Sequence, residues 1–285
     1  MPDKPIIALM YDFDRTLSPR DMQEYAFIPG LGMNAGDFWA ECDTTMKQYC
    51  MDSILAYMYV MLEKSRGRQL VTHDTLRDLG KSVKLFPGVS TWFHRVNAYA
   101  EKMGLHTEHY IISSGLKEII EGTKIAGEFK QIYAASFCYD DDGVPFWPAM
   151  AVNYTSKTQF LFRINKGVPD VTENKGLNEY MPEDLRRVPF RNMIYIGDGL
   201  TDVPCMKLTK LNGGHSIAVF QEDRAEADDM LLHGRVDYAV PANYSKGSEI
   251  EQAVFEIIDQ AAATTKTIDR HMTHREQAKK RHSRE

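Results

Sequence analysis

Asp12–Phe13–Asp14–Arg15–Thr16 directly follows the apolar run Ile6–Tyr11. Alternate side chains of an extended chain point to one side, so Asp12 and Asp14 share a face at the carboxyl end of a strand. Alone, that pair is ordinary turn chemistry. A second acidic group changes the reading, because Gly197–Asp198–Gly199–Leu200–Thr201–Asp202 follows another apolar run, Met193–Ile196. Four acids brought together without fixed cations would repel strongly, and a divalent, oxygen-seeking metal is the economical way to hold them. Ser113–Ser114–Gly115 follows a third run, Tyr110–Ile112, and opens a helical stretch from Leu116. A hydroxyl beside unpaired helix N–H groups makes a phosphate site, although the same tripeptide would serve as a simple N-cap. Lys157 precedes the apolar positions of another helix start, where a cation opposes the helix dipole. An amine there is better placed if it faces an anion; a solvated surface lysine is the alternative. No Walker A pattern exists, so a P-loop is not the source of the phosphate site.

The elements that must hold these residues read as alternating strands and helices. Short continuous apolar runs ending in small or acidic residues are strands buried on both faces, as in parallel sheets covered by helices. Ser216–Phe220 and Val236–Val240 add two more. Val89–Lys102 and Thr158–Asn165 have helical spacing, and Gly104 supplies a stop. The pattern predicts an α/β fold, a Rossmann-like parallel sheet whose ligands gather at the carboxyl ends of its strands. From Ser18 to about Lys84 the alternation stops. A long helical pattern over Asp37–Arg66 and a shorter one over Asp74–Lys81 predict a helical insert, and Phe86–Pro87–Gly88 marks the return. Tyr133–Tyr154, with Asp140–Asp141–Asp142–Gly143 between aromatic segments, reads as a β-hairpin. It lacks the ligand spacing of an EF-hand loop.

At 285 residues the chain is about twice the ~150-residue size of one domain. With 43% hydrophobic and 26% charged residues it can bury a sizeable core, which excludes disorder as the main state. No apolar run approaches the ~20 residues that span a bilayer, and the short run Ile6–Met10 is no signal peptide. A mature, cytoplasmic start is expected. The cysteines Cys42, Cys50, Cys138 and Cys205 show no metal or redox spacing and are expected to be reduced and mostly buried. Net charge is −6, of which residues 265–285 contribute +4 and the remainder −10. An acidic body argues against a nucleic-acid surface.

The order DFDRT, IISSG, a helix-leading lysine and GDGLTD resembles the haloacid dehalogenase-like (HAD) superfamily of phosphohydrolases, over about residues 5–220. The insert after the first motif and the hairpin before Lys157 resemble its phosphoserine phosphatase-like branch. The resemblance implies a core over residues 1–18 and 85–264, a helical cap over 19–84 and a basic tail over 265–285. It further implies that Asp12 is the nucleophile of an aspartyl-phosphate and that Asp14 is the acid–base group. Thr16 would support the nucleophile loop at the phosphate. Ser113, with Ser114 and Gly115, would bind phosphoryl oxygens, and Lys157 would neutralise them. Mg²⁺ would be held by Asp12, the Asp14 carbonyl, Asp198 and Asp202. An acid two places after the nucleophile favours phosphoester chemistry, since an alkoxide leaving group needs a proton and a halide does not.

Substrate choice is less legible. The phosphoserine phosphatases carry Glu nine places after the nucleophile; here that place is Asp21, with Glu24 one turn on. Arg66 and Arg68 are candidate substrate contacts, though solvated helix ends explain them as well. The Tyr49–Met61 stripe reads as core sooner than as a cavity wall. The expected activity is hydrolysis of a small phosphorylated metabolite, with no membrane partner and no expectation for oligomeric state. A phosphomutase using the same aspartyl-phosphate, or a non-catalytic binding protein on this scaffold, are the alternatives. The tail, with Lys266, Arg270, His271, His274, Arg275, Lys279, Lys280, Arg281, His282 and Arg284, is expected to be a solvated helix extension or frayed terminus.

Overall fold

The computed structural model describes residues 4–282, so Arg284 of the tail lies outside the described residues. Seven strands, β1 (Ile6–Tyr11), β2 (His106–Leu116), β3 (Gln131–Tyr139), β4 (Pro145–Met150), β5 (Met193–Gly197), β6 (His215–Phe220) and β7 (Tyr238–Pro241), form one sheet. Their spatial order is β4-β3-β2-β1-β5-β6-β7, parallel throughout except for the antiparallel β3–β4 hairpin. The helices are α1 (Phe27–Gly30), α2 (Ala35–Tyr49), α3 (Ser53–Ser65), α4 (His73–Leu79), α5 (Val89–Lys102), α6 (Lys117–Glu121), α7 (Tyr154–Lys166), α8 (Lys175–Asn178), α9 (Val203–Leu211), α10 (Ala225–Leu232) and α11 (Glu249–His282). This is the expected Rossmann-like α/β architecture.

Alternation along β1 explains why it lies at the centre. Ile7, Leu9 and Tyr11 join the apolar cluster on one face, while Ala8 and Met10 join the cluster on the other. Both faces are therefore covered, as the unbroken apolar run implies. The strand order reverses at β1, between β2 on one side and β5 on the other. Loops leaving neighbouring strands diverge at such a point and open a crevice at their carboxyl ends. Asp12, Asp14, Ser113, Ser114 and Asp198 sit at or just past the ends of these three strands, with Asp202 at the start of α9.

Several expectations change in detail. The helical pattern over Asp37–Arg66 is two helices, broken where Cys50 takes a left-handed conformation and Asp52 caps α3 by accepting from the N–H groups of Ile54 and Leu55. Ser113–Ser114–Gly115 lies within β2, whose pairing with β3 resumes at Leu116 after an irregularity, and the helix expected from Leu116 follows as α6 from Lys117. Two cysteines are buried (Cys42 and Cys205), whereas Cys50 is exposed and Cys138 intermediate, and all four are free. The tail continues α11 as helix, with its exposed stretch beginning near Lys266. No helix among the described residues is long and apolar enough to cross a membrane.

The helices that follow β1 share their core with the sheet. Phe27, Phe38, Met58, Val60 and Met61 lie in the same continuous cluster as Ile111, Leu116 and Ile196. At the return to the core, Gly88 has φ +81, and a Cβ there would stand 2.2 Å from the Tyr244 backbone. Glycine at that position lets the start of α5 and the approach to α11 touch.

One buried acid makes acid stability predictable. Glu108 on β2 is bound by Arg187, Lys130 and the Tyr110 hydroxyl. Burial would raise its carboxyl, but hydrogen bonds from Arg187, Lys130 and Tyr110 outweigh burial and hold it down at about 2. A carboxyl lowered on folding stabilises the protein above its ordinary value of 4.5 and loses that contribution as pH falls towards about 2. Glu108→Gln should therefore lower stability near neutral pH and flatten its fall in acid, as read by urea unfolding across that window. An acid profile unchanged from wild type would remove the network from the folding balance.

Candidate active site

Asp12 leaves β1 at the switch point. Its backbone N–H donates to the Ile196 carbonyl at 2.9 Å, tying the loop to β5. Its carboxylate accepts from the Phe13 N–H at 2.8 Å. Across from it, Lys157 is wholly buried, its Nζ 3.4 Å from Asp12 Oδ1 and 2.7 Å from Asp202 Oδ1. Lys157, Phe160, Leu161 and Ile164 lie on one face of α7, so the packing that buries the three apolar side chains also carries the ammonium inward. Asn153 and Ser156 form a capping box that fixes the start of that helix.

Asp198 and Asp202 come from the loop after β5. The Thr16 hydroxyl donates to Asp198 Oδ1 at 3.2 Å, which sets Thr16 behind an acid and off the cavity wall. Asp202 is fully buried; its Oδ1 accepts from Lys157 and from the Tyr195 hydroxyl at 2.7 Å, and its Oδ2 has no hydrogen-bond partner. Carboxylate oxygens of Asp12, Asp198 and Asp202 lie within 4.8 Å of one another. Three carboxylates with oxygens at that spacing, among them Asp202 with a buried unpartnered oxygen, suit a hard divalent cation. The Asp14 carboxylate stands apart from this group and accepts from the Met22 N–H at 2.8 Å. A Cβ on Gly115 would stand 2.8 Å from Asp14 Oδ2, so the glycine lets that acid approach the end of β2.

Crowding shows in the proton affinities. Burial pushes the Asp12 carboxyl up to about 6, against the pull of Lys157. Burial, then repulsion from Asp21 and Asp12, pushes Asp14 well up. Asp198 is raised by burial and by Asp12 and Asp202. Burial draws the Lys157 ammonium down, but Asp12 and Asp202 outweigh it and leave the amine raised and charged.

A cavity of about 620 Å³ opens above these groups. Asp12, Asp14, Ser113, Ser114, Gly115 and Asp198 line its floor. The Ser113 hydroxyl accepts from the Gly115 N–H at 3.0 Å, while the Ser114 hydroxyl is buried without a partner. The helices after β1 supply the opposite wall, including Trp39, Ile54 and Tyr57. Tyr57 donates to the Ser114 carbonyl at 2.8 Å, and Asn153 donates to Asp52, so both sides of the cavity are joined by side chains. Within the Tyr49–Met61 stripe, Met58, Val60 and Met61 are core, Ile54 and Tyr57 also line the cavity, and Tyr49 and Tyr59 are exposed. Of the three non-glycine residues with positive φ among the described residues, Arg15 and Tyr154 line it. Such conformations are held where surrounding structure enforces them, often at functional sites.

The candidates for substrate recognition separate. Asp21 lines the cavity and is bound to Arg15 at 2.9 Å. Glu24 does not line it and accepts from the Trp39 indole at 3.0 Å. Arg66 borders a different groove, and Arg68 is absent from both. Tyr195, Gln23, Trp39 and Asn153 were not singled out by sequence. Only Asn153, in a cap position before a helix, left a local signal.

A model of the haloacid dehalogenase-like hydrolase family matches residues 9–207. An uncharacterized protein of Borreliella burgdorferi is 28% identical over 282 residues, covering 89% of this chain and 96% of that protein. Among solved structures, a probable phosphoserine phosphatase from Vibrio cholerae is similar with a TM-score of 0.56 at 14% identity, over 93% of this chain and 68% of that one. A HAD family hydrolase from Salmonella enterica serovar Typhi gives 0.54 at 15% identity, over 83% and 68%. At these identities the likeness speaks for the fold.

Proposed function

We propose that this chain, which belongs to the haloacid dehalogenase-like hydrolase family, is a Mg²⁺-dependent phosphomonoesterase acting on a small phosphorylated metabolite. The observation that carries the reading is the 3.4 Å approach of a buried ammonium to Asp12 on the floor of a cavity that also presents an orphan Ser114 hydroxyl.

In this reading Asp12 attacks phosphorus, forming an aspartyl-phosphate as the ester P–O bond breaks. Asp14 gives its proton to the departing alkoxide, then takes one from the water that hydrolyses the acyl phosphate. Ser113, Ser114 and the N–H groups near Gly115 hold the equatorial oxygens, whose charge Lys157 offsets in a dry site. Asp202 keeps the ammonium aimed at Asp12. Asp12, Asp198 and Asp202, with the Asp14 carbonyl, would hold Mg²⁺, which supplies further charge neutralisation when bound.

Residues 19–84 act in this proposal as a cap over a core of residues 1–18 and 85–264, with 265–285 a basic tail. Two observations support the division: the insert leaves the chain between β1 and β2, and its Trp39 and Tyr57 face the strand ends across the cavity. Closing such a lid excludes water and completes substrate contacts. The expected result is phosphate release from 4-nitrophenyl phosphate that requires Mg²⁺ and stops with a chelator. No metal-dependent release from it or from a panel of phosphometabolites would overturn the reading. Transfer within one substrate without free phosphate would assign a mutase instead.

A further inference from the structure

Away from Asp12 the cavity has a distinct chemistry. Trp39 and Tyr57 meet edge to face there, with 6.3 Å between ring centroids at 77°. Their polar atoms are already engaged, the indole N–H on Glu24 and the phenol on the Ser114 carbonyl, which leaves ring surface for a ligand. Asp43 and Glu226 stand exposed at the rim. Arg15 is the one basic side chain among the lining residues, and Asp21 neutralises it. Gln23 lines the same cavity at 2% exposure, and its Oε1 is a buried acceptor without a partner.

Each feature bears on what the leaving alcohol can carry. A carboxylate beyond the phosphate would lose water and meet no free cation, with two acids nearby. An ammonium would find aromatic surface, two carboxylates and an empty acceptor at Gln23. Selection arises as much from what the wall repels as from what it attracts. We infer that the substrates are phosphate esters of small amino alcohols, bearing an ammonium group and no carboxylate. This inference rests on the phosphomonoesterase reading and narrows it.

Three matched esters test it on the full chain with Mg²⁺. O-phosphoethanolamine differs from O-phosphoserine by a carboxylate and from n-propyl phosphate by its charge. We expect kcat/KM for phosphoethanolamine to exceed that for phosphoserine by about tenfold or more. It should exceed that for propyl phosphate by roughly threefold to thirtyfold. Where turnover is too slow to measure, inhibition constants against 4-nitrophenyl phosphate give the same ranking. An equal or reversed order in either pair overturns the inference while leaving the phosphatase reading intact. Failure of all four esters to show Mg²⁺-dependent turnover overturns the phosphatase reading itself. In the double variant Asp43→Asn, Glu226→Gln, the ratio of phosphoethanolamine to propyl phosphate should fall towards one. A ratio unchanged from wild type would remove these carboxylates from recognition.

Discussion

Asp12→Asn should reduce turnover by about 10³-fold or more while leaving the fold intact. Asparagine has the same shape and offers an oxygen to the Phe13 N–H, so the loop after β1 keeps its hydrogen bond. It has no carboxylate to attack phosphorus, and the two-step route through an acyl phosphate is closed. Stability should not suffer greatly, because Lys157 retains its 2.7 Å contact with Asp202. The substitution also removes one of several buried acids, one that burial, and then repulsion from Asp202, already raises to about 6. Thermal unfolding near the wild-type temperature, together with lost phosphate release and no phosphate bound covalently after acid quenching, is the expected outcome. Wild-type turnover in this variant would mean that another group attacks phosphorus.

The parts of the site that were legible are those where chain neighbours carry the chemistry. Asp12 and Asp198 each stand just past an apolar run, so strand end and acid are read together. Lys157 was legible as a cation before the apolar positions of a helix start, where it opposes the dipole; the structure sets it on the face of Phe160, Leu161 and Ile164. Contacts between distant elements left no such trace. Tyr195 precedes Asp202 by seven residues, yet their hydrogen bond depends on how β5 turns into α9. Glu24 was a candidate only as the acid one helical turn after Asp21, but an indole fifteen residues further on occupies it. The break between α2 and α3 was hidden because the apolar pattern runs through it; only Asp52 before Ser53 hints at a new cap.

Composition and turn signals mark residues 19–84 as an insert, while packing does not separate them from the rest of the chain. Apolar side chains from α2 and α3 share one cluster with β2 and β5. Hydrophobic burial is proportional to area and blind to chain order, so an insert can be distinct in sequence and continuous in packing. A short linker in place of residues 34–82 would uncover part of that cluster. Lid opening without global unfolding would therefore have to break the Tyr57–Ser114 and Asn153–Asp52 bonds while keeping the shared apolar contacts. A hinge close to the cavity rim meets that requirement better than wholesale separation of the insert.

Lys157→Met should damage both stability and catalysis, unlike the change at Asp12. Methionine matches the lysine stem and would pack against Phe160 and Leu161, so lost volume is not the cause. What it removes is the ammonium between Asp12 and Asp202, at 3.4 and 2.7 Å. Asp202 is fully buried, and after the change only the Tyr195 hydroxyl faces its Oδ1. Taking one partner from a buried ion pair leaves an uncompensated charge, which costs about 3–5 kcal/mol. Denaturant unfolding without divalent ions should show a loss of that order. Turnover should fall by on the order of 10²–10³-fold, the usual effect of removing one group aimed at transition-state charge. Added Mg²⁺ should recover part of the stability by screening the acids, but it cannot restore a cation at the place of the amine. Wild-type stability would show that the buried acids do not need this partner, and wild-type turnover would take Lys157 out of the phosphoryl contact.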